Sequence, residues 1–161
     1  MRTKTHPFNY LVMNTIIAIE PDTKKSGVAI YHDKCISYAA MPFFELINKI
    51  DEYDSPRLYI EAGWLNKPKN FRYLGSKTSI SNEVSARVGA NHQIGKLIAE
   101  YGDLKKITYS LVKPLRKIWK GPDGKITASE LNQLLKAKGY KELKRSNQDM
   151  RDAILILLKV L

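Results

Sequence analysis

The order of strand-like and helix-like segments constrains the fold of this chain more than any other feature of its sequence. Apolar runs at residues 15–20, 27–32 and 35–40 predict three successive strands, and a short turn at residues 33–34 predicts that the last two form a hairpin. A helix-like segment precedes each later strand-like run. This order predicts an α/β fold in which helices flank both faces of a mixed five-stranded sheet.

Apolar spacing marks the central elements. Apolar residues recur at helical spacing in residues 43–50 and again in residues 82–101, which predicts two helices. Strand-like runs follow these helices at residues 57–61 and 106–111. Residues 62–81 have almost no apolar period, so we predict an exposed loop there.

The C-terminal third is predicted to contain a loop and two further helices. Residues 113–125 include two prolines and two glycines, which favours a loop. Thr127 and Glu130 have the spacing of a capping box, so a short helix should begin there. Ser146 is the predicted N-cap of a final helix that continues through the apolar residues 153–158.

Length and cysteine content indicate the domain count and the compartment. Residues 1–14 show no clean period, and we interpret them as an N-terminal extension before a single domain at residues 15–161. Cys35 is the only cysteine, which excludes an internal disulfide framework and favours a cytoplasmic location. No stretch of the sequence has the pattern of a transmembrane segment or a signal peptide.

The balance of charge predicts the class of partner. The chain carries 27 Lys and Arg residues against 16 Asp and Glu residues, which gives a formal net charge of +11. A surface this basic predicts a polyanionic partner, and we expect nucleic acid rather than a membrane.

Four acidic residues nevertheless stand at the ends of predicted elements. Glu20 and Glu61 end strands, while Asp149 and Asp152 share one face of the last helix near its start. Carboxylates placed in this way can converge on Mg²⁺ or Mn²⁺, and two such ions in one active site support phosphodiester hydrolysis. We predict that all four are catalytic metal ligands. Taken singly, each could be a surface charge, and the two aspartates could serve only the helix dipole.

Two basic loops are the predicted contacts with nucleic acid. In residues 62–81, cations are interleaved with aromatic side chains that can stack on bases. The candidates in this loop are Trp64, Lys67, Lys69, Phe71, Arg72 and Tyr73. The second loop supplies Arg116, Lys117 and Lys120 as candidate contacts with phosphates. One at a time these cations are ordinary surface charges, and Trp64 could instead close a hydrophobic pocket.

Three acidic motifs in this order resemble those of RuvC-type Holliday junction resolvases. They lie at residues 17–29 (IAIEPDTKKSGVA), 59–64 (YIEAGW) and 149–153 (DMRDA). That family belongs to the RNase H-like superfamily, so the resemblance implies an RNase H-like fold for residues 15–161. It also implies a homodimeric, Mg²⁺-dependent endonuclease that nicks four-way DNA junctions symmetrically in recombination, replication or repair. A compact domain of this kind fits a phage or prophage enzyme, acting in the host cytoplasm.

The resemblance implies roles for individual acidic and aromatic residues. Glu61 matches the family's second acid, and Asp149 and Asp152 match its final pair, which alanine follows here as Ala153. Trp64 stands where bacterial resolvases carry an aromatic residue that contacts bases near the crossover.

Basic residues and one helix are similarly implied. Lys113 and Lys125 resemble the family's basic residues near the scissile phosphate, and we expect Lys113 to help neutralise that phosphate during catalysis. Residues 88–95 resemble the helix that forms the family's dimer interface, because their small residues permit close approach.

The first motif departs from the family pattern. The family's first acid is usually aspartate followed by Pro-Gly, whereas this chain has Glu20, Pro21 and Asp22. Glutamate moves the carboxylate about 1.5 Å further into the site, where small misplacements matter, and Asp22 could assist it. One alternative is therefore a branched-DNA-binding protein with weak or lost cleavage. Another is a YqgF-type RNA-processing nuclease, whose first motif contains a similar Gly-Val-Ala, here at residues 27–29.

Overall fold

A computed structural model describes residues 15–66 and 78–161 of the chain. Its strands are β1 (Ile16–Glu20), β2 (Ser26–His32), β3 (Cys35–Met41), β4 (Arg57–Glu61) and β5 (Tyr109–Val112). Its α-helices are α1 (Phe43–Asp51), α2 (Thr78–Lys105), α3 (Ala128–Ala137) and α4 (Gln148–Val160). Short 3₁₀ turns occur at Gly63–Leu65 and Pro122–Gly124. The proposed extension at residues 1–14 lies outside the described residues.

The five strands form one mixed sheet in the order β3-β2-β1-β4-β5. β2 pairs antiparallel with both β1 and β3, whereas β4 pairs parallel with both β1 and β5. The β2–β3 hairpin turns through Asp33 (φ 48°) and Lys34 (φ 60°), because a two-residue turn of this hand needs positive φ at both positions. The predicted hairpin and the predicted mixed sheet are both confirmed.

Helices cover both faces of the sheet, and buried apolar side chains line each face. On β1, Ile17 and Ile19 point to one face and Ala18 to the other, in line with the period of two in a strand. The first face packs against α1 and α2 through Leu46, Ile50 and Ile98. The second face packs against α3 and α4, and its buried residues include Leu131, Leu135, Ala153, Ile156 and Leu157.

The boundaries of α2 and β5 differ from the predicted ones. The helix begins at Thr78 rather than residue 82 and ends at Lys105 rather than residue 101. Lys106 ends it in a left-handed conformation (φ 58°), and the amide of Ile107 donates to the carbonyl of Gly102 at 2.8 Å. This cap takes up the first residues of the predicted strand, so β5 begins only at Tyr109.

The caps of the last two helices were predicted with unequal success. Thr127 and Glu130 form the predicted capping box of α3. Ser146 is not the N-cap of α4: Asn147 occupies that position and its Oδ1 accepts from the amide of Met150 at 2.9 Å. The carbonyl of Ser146 instead accepts from Nη1 of Arg151 at 2.8 Å. None of the helices in the described part of the chain is long and apolar enough to cross a membrane.

Candidate functional site

Glu20 and Glu61 lie side by side because of the register of two parallel strands. Each directly follows a member of the Ile19–Ile60 pair, which is the last pair of the β1–β4 ladder. Residues two positions earlier on each strand belong to the face covered by α3 and α4, so alternation directs both glutamates to that face. The carboxyl ends of β1 and β4 therefore present two carboxylates toward α4.

Close packing of α4 brings Asp149 and Asp152 to the same place. Ala18 and Ala29 form a register pair beneath the helix and leave room for it to approach. At Gly27, the register partner of Glu20, a Cβ atom would lie 2.1 Å from the backbone oxygen of Asp149. A glycine at this position is thus required for the first turn of α4 to reach the end of β1.

The four carboxylates, hereafter the acidic cluster, all have raised pKa values. Burial raises the pKa of Glu20 well above its ordinary value, and the charges of Glu61, Asp152 and Asp149 raise it further. Burial, followed by the charge of Asp152, raises the pKa of Glu61 to about 7. Burial is also the main cause of the raised pKa of Asp149 and of Asp152. Lys125 opposes the shift in all four groups.

One oxygen of the acidic cluster is suited to a cation. Glu20 Oε2 is fully buried and has no hydrogen-bond partner among the residues that the structure describes. A buried carboxylate oxygen without a partner is costly unless it is protonated or meets a positive charge. Carboxylate oxygens are also the ligands that Mg²⁺ and Mn²⁺ prefer, so the donor set fits the expected metal.

Asp152 accepts a hydrogen bond from Gln148 and lies near Lys125. Its Oδ1 accepts from Nε2 of Gln148 at 2.7 Å, and Gln148 in turn accepts from Nη2 of Arg151 at 2.9 Å. Its Oδ2 lies 3.8 Å from Nζ of Lys125. Within residues 15–66 and 78–161, no three acidic, imidazole or thiol groups are close enough as placed to hold an ion. Lys125 is therefore the counter-ion of the cluster in this arrangement, and ion binding would require the carboxylates to close in.

Trp64 packs inside the chain rather than standing free of it. A Cβ atom at Gly95 of α2 would lie 2.6 Å from Cζ3 of Trp64, and the Trp64 ring meets His92 edge to face with centroids 6.0 Å apart. The indole nevertheless borders a cavity that is also lined by Glu20 and Glu61. Stacking on a base stays a prediction for Trp64, whose contacts place it on the wall of a cavity next to the acidic cluster.

The loop after β5 borders a second cavity at the acidic cluster. Arg116, Lys117 and Lys125 line it, with Trp119 and both glutamates. Of these cations, Lys117 and Lys125 lower the pKa values of Glu61 and Asp152. The structure thus brings three of the predicted DNA-binding cations to the site.

Other predicted DNA contacts lie elsewhere or outside the described residues. Lys113 is exposed directly after β5, and among the described residues it does not line this cavity, whereas Lys117 and Lys125 do. A role for Lys113 in neutralising the phosphate stays a prediction. Lys120 is exposed, and its backbone amide donates to Glu130 Oε1 at 3.1 Å. The remaining candidates in the first basic loop lie outside the described residues: Lys67, Lys69, Phe71, Arg72 and Tyr73.

Two residues that shape the site were given no role from the sequence. Gly27 carried a usable signal, since a glycine inside a strand often marks the close approach of another backbone. Asn91 of α2 carried none, because its contact with the loop after β1 depends on tertiary structure.

Two other residues had an expected role and make different contacts. Gly95, one of the small residues that the resemblance assigned to a dimer interface, packs against Trp64 of the same chain. Asp22, which could assist Glu20, accepts hydrogen bonds from Asn91 and from its own loop.

Comparison with known proteins shows similarity in structure but not in sequence. No protein-family model matches the chain. No curated protein matches it in sequence either. Thermus thermophilus RuvC in complex with a Holliday junction substrate matches with a TM-score of 0.52 and 11% identity, over 90% of this chain and 91% of that chain. A second Thermus thermophilus RuvC structure matches with a TM-score of 0.40 and 12% identity, over 89% and 91%. The first match shows that the chain has the fold of RuvC, and the predicted RNase H-like fold is confirmed.

Proposed function

We propose that the chain is a divalent-metal-dependent endonuclease that binds and symmetrically nicks four-way DNA junctions. The carrying observation is the convergence of four carboxylates from β1, β4 and α4 on a buried site where Glu20 Oε2 has no described partner. A net charge of +11 around such a site suits a polyanionic substrate. The substrate class is supported by the RuvC-like fold, since the similar Thermus thermophilus protein was solved in complex with a Holliday junction substrate.

Each part of the site has a chemical role in this proposal. Glu20, Glu61, Asp149 and Asp152 would hold Mg²⁺ or Mn²⁺, and two bound ions would supply the Lewis acidity for phosphodiester hydrolysis. The raised pKa values mean that the acidic cluster releases protons when it binds cations.

Nearby cations would act on the substrate. Lys117 and Lys125 stand on the wall of the second cavity, where they would attract the DNA backbone and offset the charge that develops on the phosphate.

We further propose that the chain works as a homodimer through α2. This helix exposes the large apolar side chains Leu97 (37% exposed) and Leu104 (77%), which lie seven residues apart on one side. Gly89 lies eight residues before Leu97 on the same side, and a Cβ atom there would meet nothing within 4 Å. Two exposed leucines beside a small residue are suited to close packing against a second copy.

A cleavage assay on matched substrates tests the proposed function. End-labelled four-way junctions, linear duplexes of the same sequence and single-stranded RNA would each be incubated with Mg²⁺, Mn²⁺ or EDTA. We expect paired nicks in opposing strands of the junction, with either metal and not with EDTA. Preferential cleavage of the RNA would contradict the proposal and support an RNA-processing nuclease.

Junction binding without cleavage is the second candidate function. The pairing of Asp152 with Gln148 and Lys125 favours it, because this carboxylate would have to leave both partners or share them with an ion. Gel shifts of junctions without nicks under either metal would select this candidate.

A further inference from the structure

One residue of α2 holds the loop that follows Glu20. The Asn91 amide oxygen accepts from the backbone N–H of Thr23 at 3.1 Å, and its Nδ2 donates to Asp22 Oδ2 at 3.1 Å. The Thr23 N–H and the Asp22 carboxylate fix the orientation of the Asn91 amide. If the amide were reversed, its NH₂ group would face the Thr23 N–H and its oxygen would face the carboxylate, so that neither hydrogen bond could form. Asn91 therefore links α2 to the β1–β2 loop through two hydrogen bonds.

The same loop is closed on itself through Asp22. Its other carboxylate oxygen, Oδ1, accepts from the backbone amides of Lys24 at 2.8 Å and Lys25 at 3.4 Å. Its backbone N–H donates to Oγ of the buried Ser26 at 3.2 Å. Both carboxylate oxygens of Asp22 thus accept hydrogen bonds that shape the loop.

The helix also contacts the loop that follows Glu61. A Cβ atom at Gly63 would lie 2.5 Å from Nε2 of His92, and one at Gly95 would lie 2.6 Å from Trp64 and 3.2 Å from Cγ of Pro21. Pro21 directly follows Glu20, and Gly63 lies two residues after Glu61. Residues 91–95 of α2 therefore contact the chain directly after each of the two strands that end in a glutamate.

We propose that Asp22 and Asn91 are a positioning pair that fixes the loop after Glu20 to α2 and thereby sets the spacing of Glu20 from Glu61. The inference rests on the proposed metal-dependent function and deepens it, because that spacing determines how the acidic cluster meets a cation. The negative charge of Asp22 also lies near Asp149, whose pKa it raises, so the test has to separate this charge from the hydrogen bond to Asn91.

Exchanging the two side chains tests the pair, because the exchange preserves every hydrogen bond. In the double variant Asp22→Asn/Asn91→Asp, the amide placed at position 22 donates to the carboxylate placed at position 91. The amide oxygen at position 22 still accepts from Lys24 and Lys25, and the carboxylate at position 91 still accepts from Thr23. Each single variant instead breaks the hydrogen bond between positions 22 and 91. Asp22→Asn places two NH₂ groups face to face, and Asn91→Asp places two carboxylates face to face.

The readout is Mn²⁺ binding by isothermal titration calorimetry, with junction cleavage measured alongside. We expect each single variant to weaken Mn²⁺ binding by about tenfold, the lower end of the usual range for residues that orient metal ligands. The double variant should return to within about threefold of the wild-type affinity, on the same grounds.

The direction in which Asn91→Asp changes Mn²⁺ affinity distinguishes a positioning role from an effect of charge alone. If local charge alone set the affinity, the added carboxylate would tighten Mn²⁺ binding, and that result would overturn the proposal. A double variant as weak as Asp22→Asn alone would also overturn it, because a metal-ligating Asp22 cannot be rescued from position 91. Gln133→Glu is the matched control, since it adds the same charge at an exposed position of α3 and should leave Mn²⁺ affinity unchanged.

Two further measurements keep the result interpretable. Thermal unfolding of each variant without metal would show whether a loss of affinity reflects loss of the fold. A wild-type chain that neither binds Mn²⁺ nor cleaves junctions would refute the proposed function itself. A wild-type chain that does both, with single variants of unchanged affinity, would refute only the positioning pair.

Discussion

The α-carbon of Gly27 faces the backbone of Asp149 so closely that a Cβ atom there would lie 2.1 Å from the Asp149 carbonyl oxygen. Gly27 is also the register partner of Glu20, so this contact joins the end of β1 to the first turn of α4. The absence of a side chain at Gly27 therefore determines how closely Asp149 and Asp152 on α4 approach Glu20 and Glu61 on the sheet.

Replacing Gly27 with alanine should push α4 away from the sheet. We expect a loss of about 1–3 kcal/mol in the free energy of unfolding, as for other overpacked sites, together with weaker Mn²⁺ binding. Urea unfolding and calorimetry would measure the two effects. Gly89→Ala is the matched control when unfolding is measured on the monomer at low protein concentration, because a Cβ atom there meets nothing of the same chain within 4 Å. It should stabilise the helix by about 0.5–1 kcal/mol, and equal losses in both variants would contradict the packing argument.

Removing charge from the acidic cluster should separate cleavage from binding. In Glu61→Gln and Asp149→Asn the side chains keep their shape but lose a hard anionic ligand. We expect junction cleavage to fall below detection in both variants, while junction affinity in a gel shift stays within about threefold of wild type, since phosphate contacts come from basic residues. Cleavage retained by both variants would remove these residues from the proposed metal site.

The raised pKa of Glu61 predicts how stability depends on pH. Its pKa is about 7 in the folded chain against an ordinary value of 4.5, so the folded state binds this proton more tightly than the unfolded state does. Stability should therefore fall as pH rises from about 4.5 through 7, by up to roughly 3 kcal/mol from this group. Urea unfolding at pH 5 and pH 8, without divalent ions, would measure the decline. Glu61→Gln should show a shallower decline, and a wild-type chain that gains stability across this range would contradict the assigned shift.

Local signals in the sequence were enough to predict the sheet and most of the helices. Alternation in β1, the turn at residues 33–34 and the capping box at Thr127 each depend on neighbours within a few residues. The end of α2 was not predictable in this way, because a lysine gives no signal that it will adopt the left-handed conformation seen at Lys106. The four acids were identified from strand ends and motif order. The hydrogen bond from Asn91 to Asp22, in the loop after Glu20, joins residues 69 positions apart, which no local pattern encodes.

Neutralising Lys117 should weaken junction binding in a salt-dependent way. Lys117 is exposed on the wall of the second cavity, and a cation that contacts a phosphate adds about one unit to the slope of log affinity against log salt. Lys117→Gln should reduce that slope by about one. Fluorescence anisotropy with a labelled junction over a series of salt concentrations would measure it. Lys159→Gln removes the same charge near the end of α4, where Lys159 is exposed, and an equal change in that control would show a general charge effect only.

Shortening Glu20 tests whether the glutamate is adapted to this site or limits it. Glu20 Oε2 is buried among the other acids of the cluster, and α4 is held at a fixed depth by its contact with Gly27. In Glu20→Asp the carboxylate withdraws by about 1.5 Å, and neither the strand register nor the helix can follow it. We therefore expect weaker Mn²⁺ binding and a fall in cleavage of about 10²-fold, the cost of a misplacement of this size. Single-turnover cleavage of a four-way junction at saturating metal would measure the fall. Faster cleavage by Glu20→Asp than by wild type would show that the native glutamate restrains the chemistry, and would favour junction binding as the main activity.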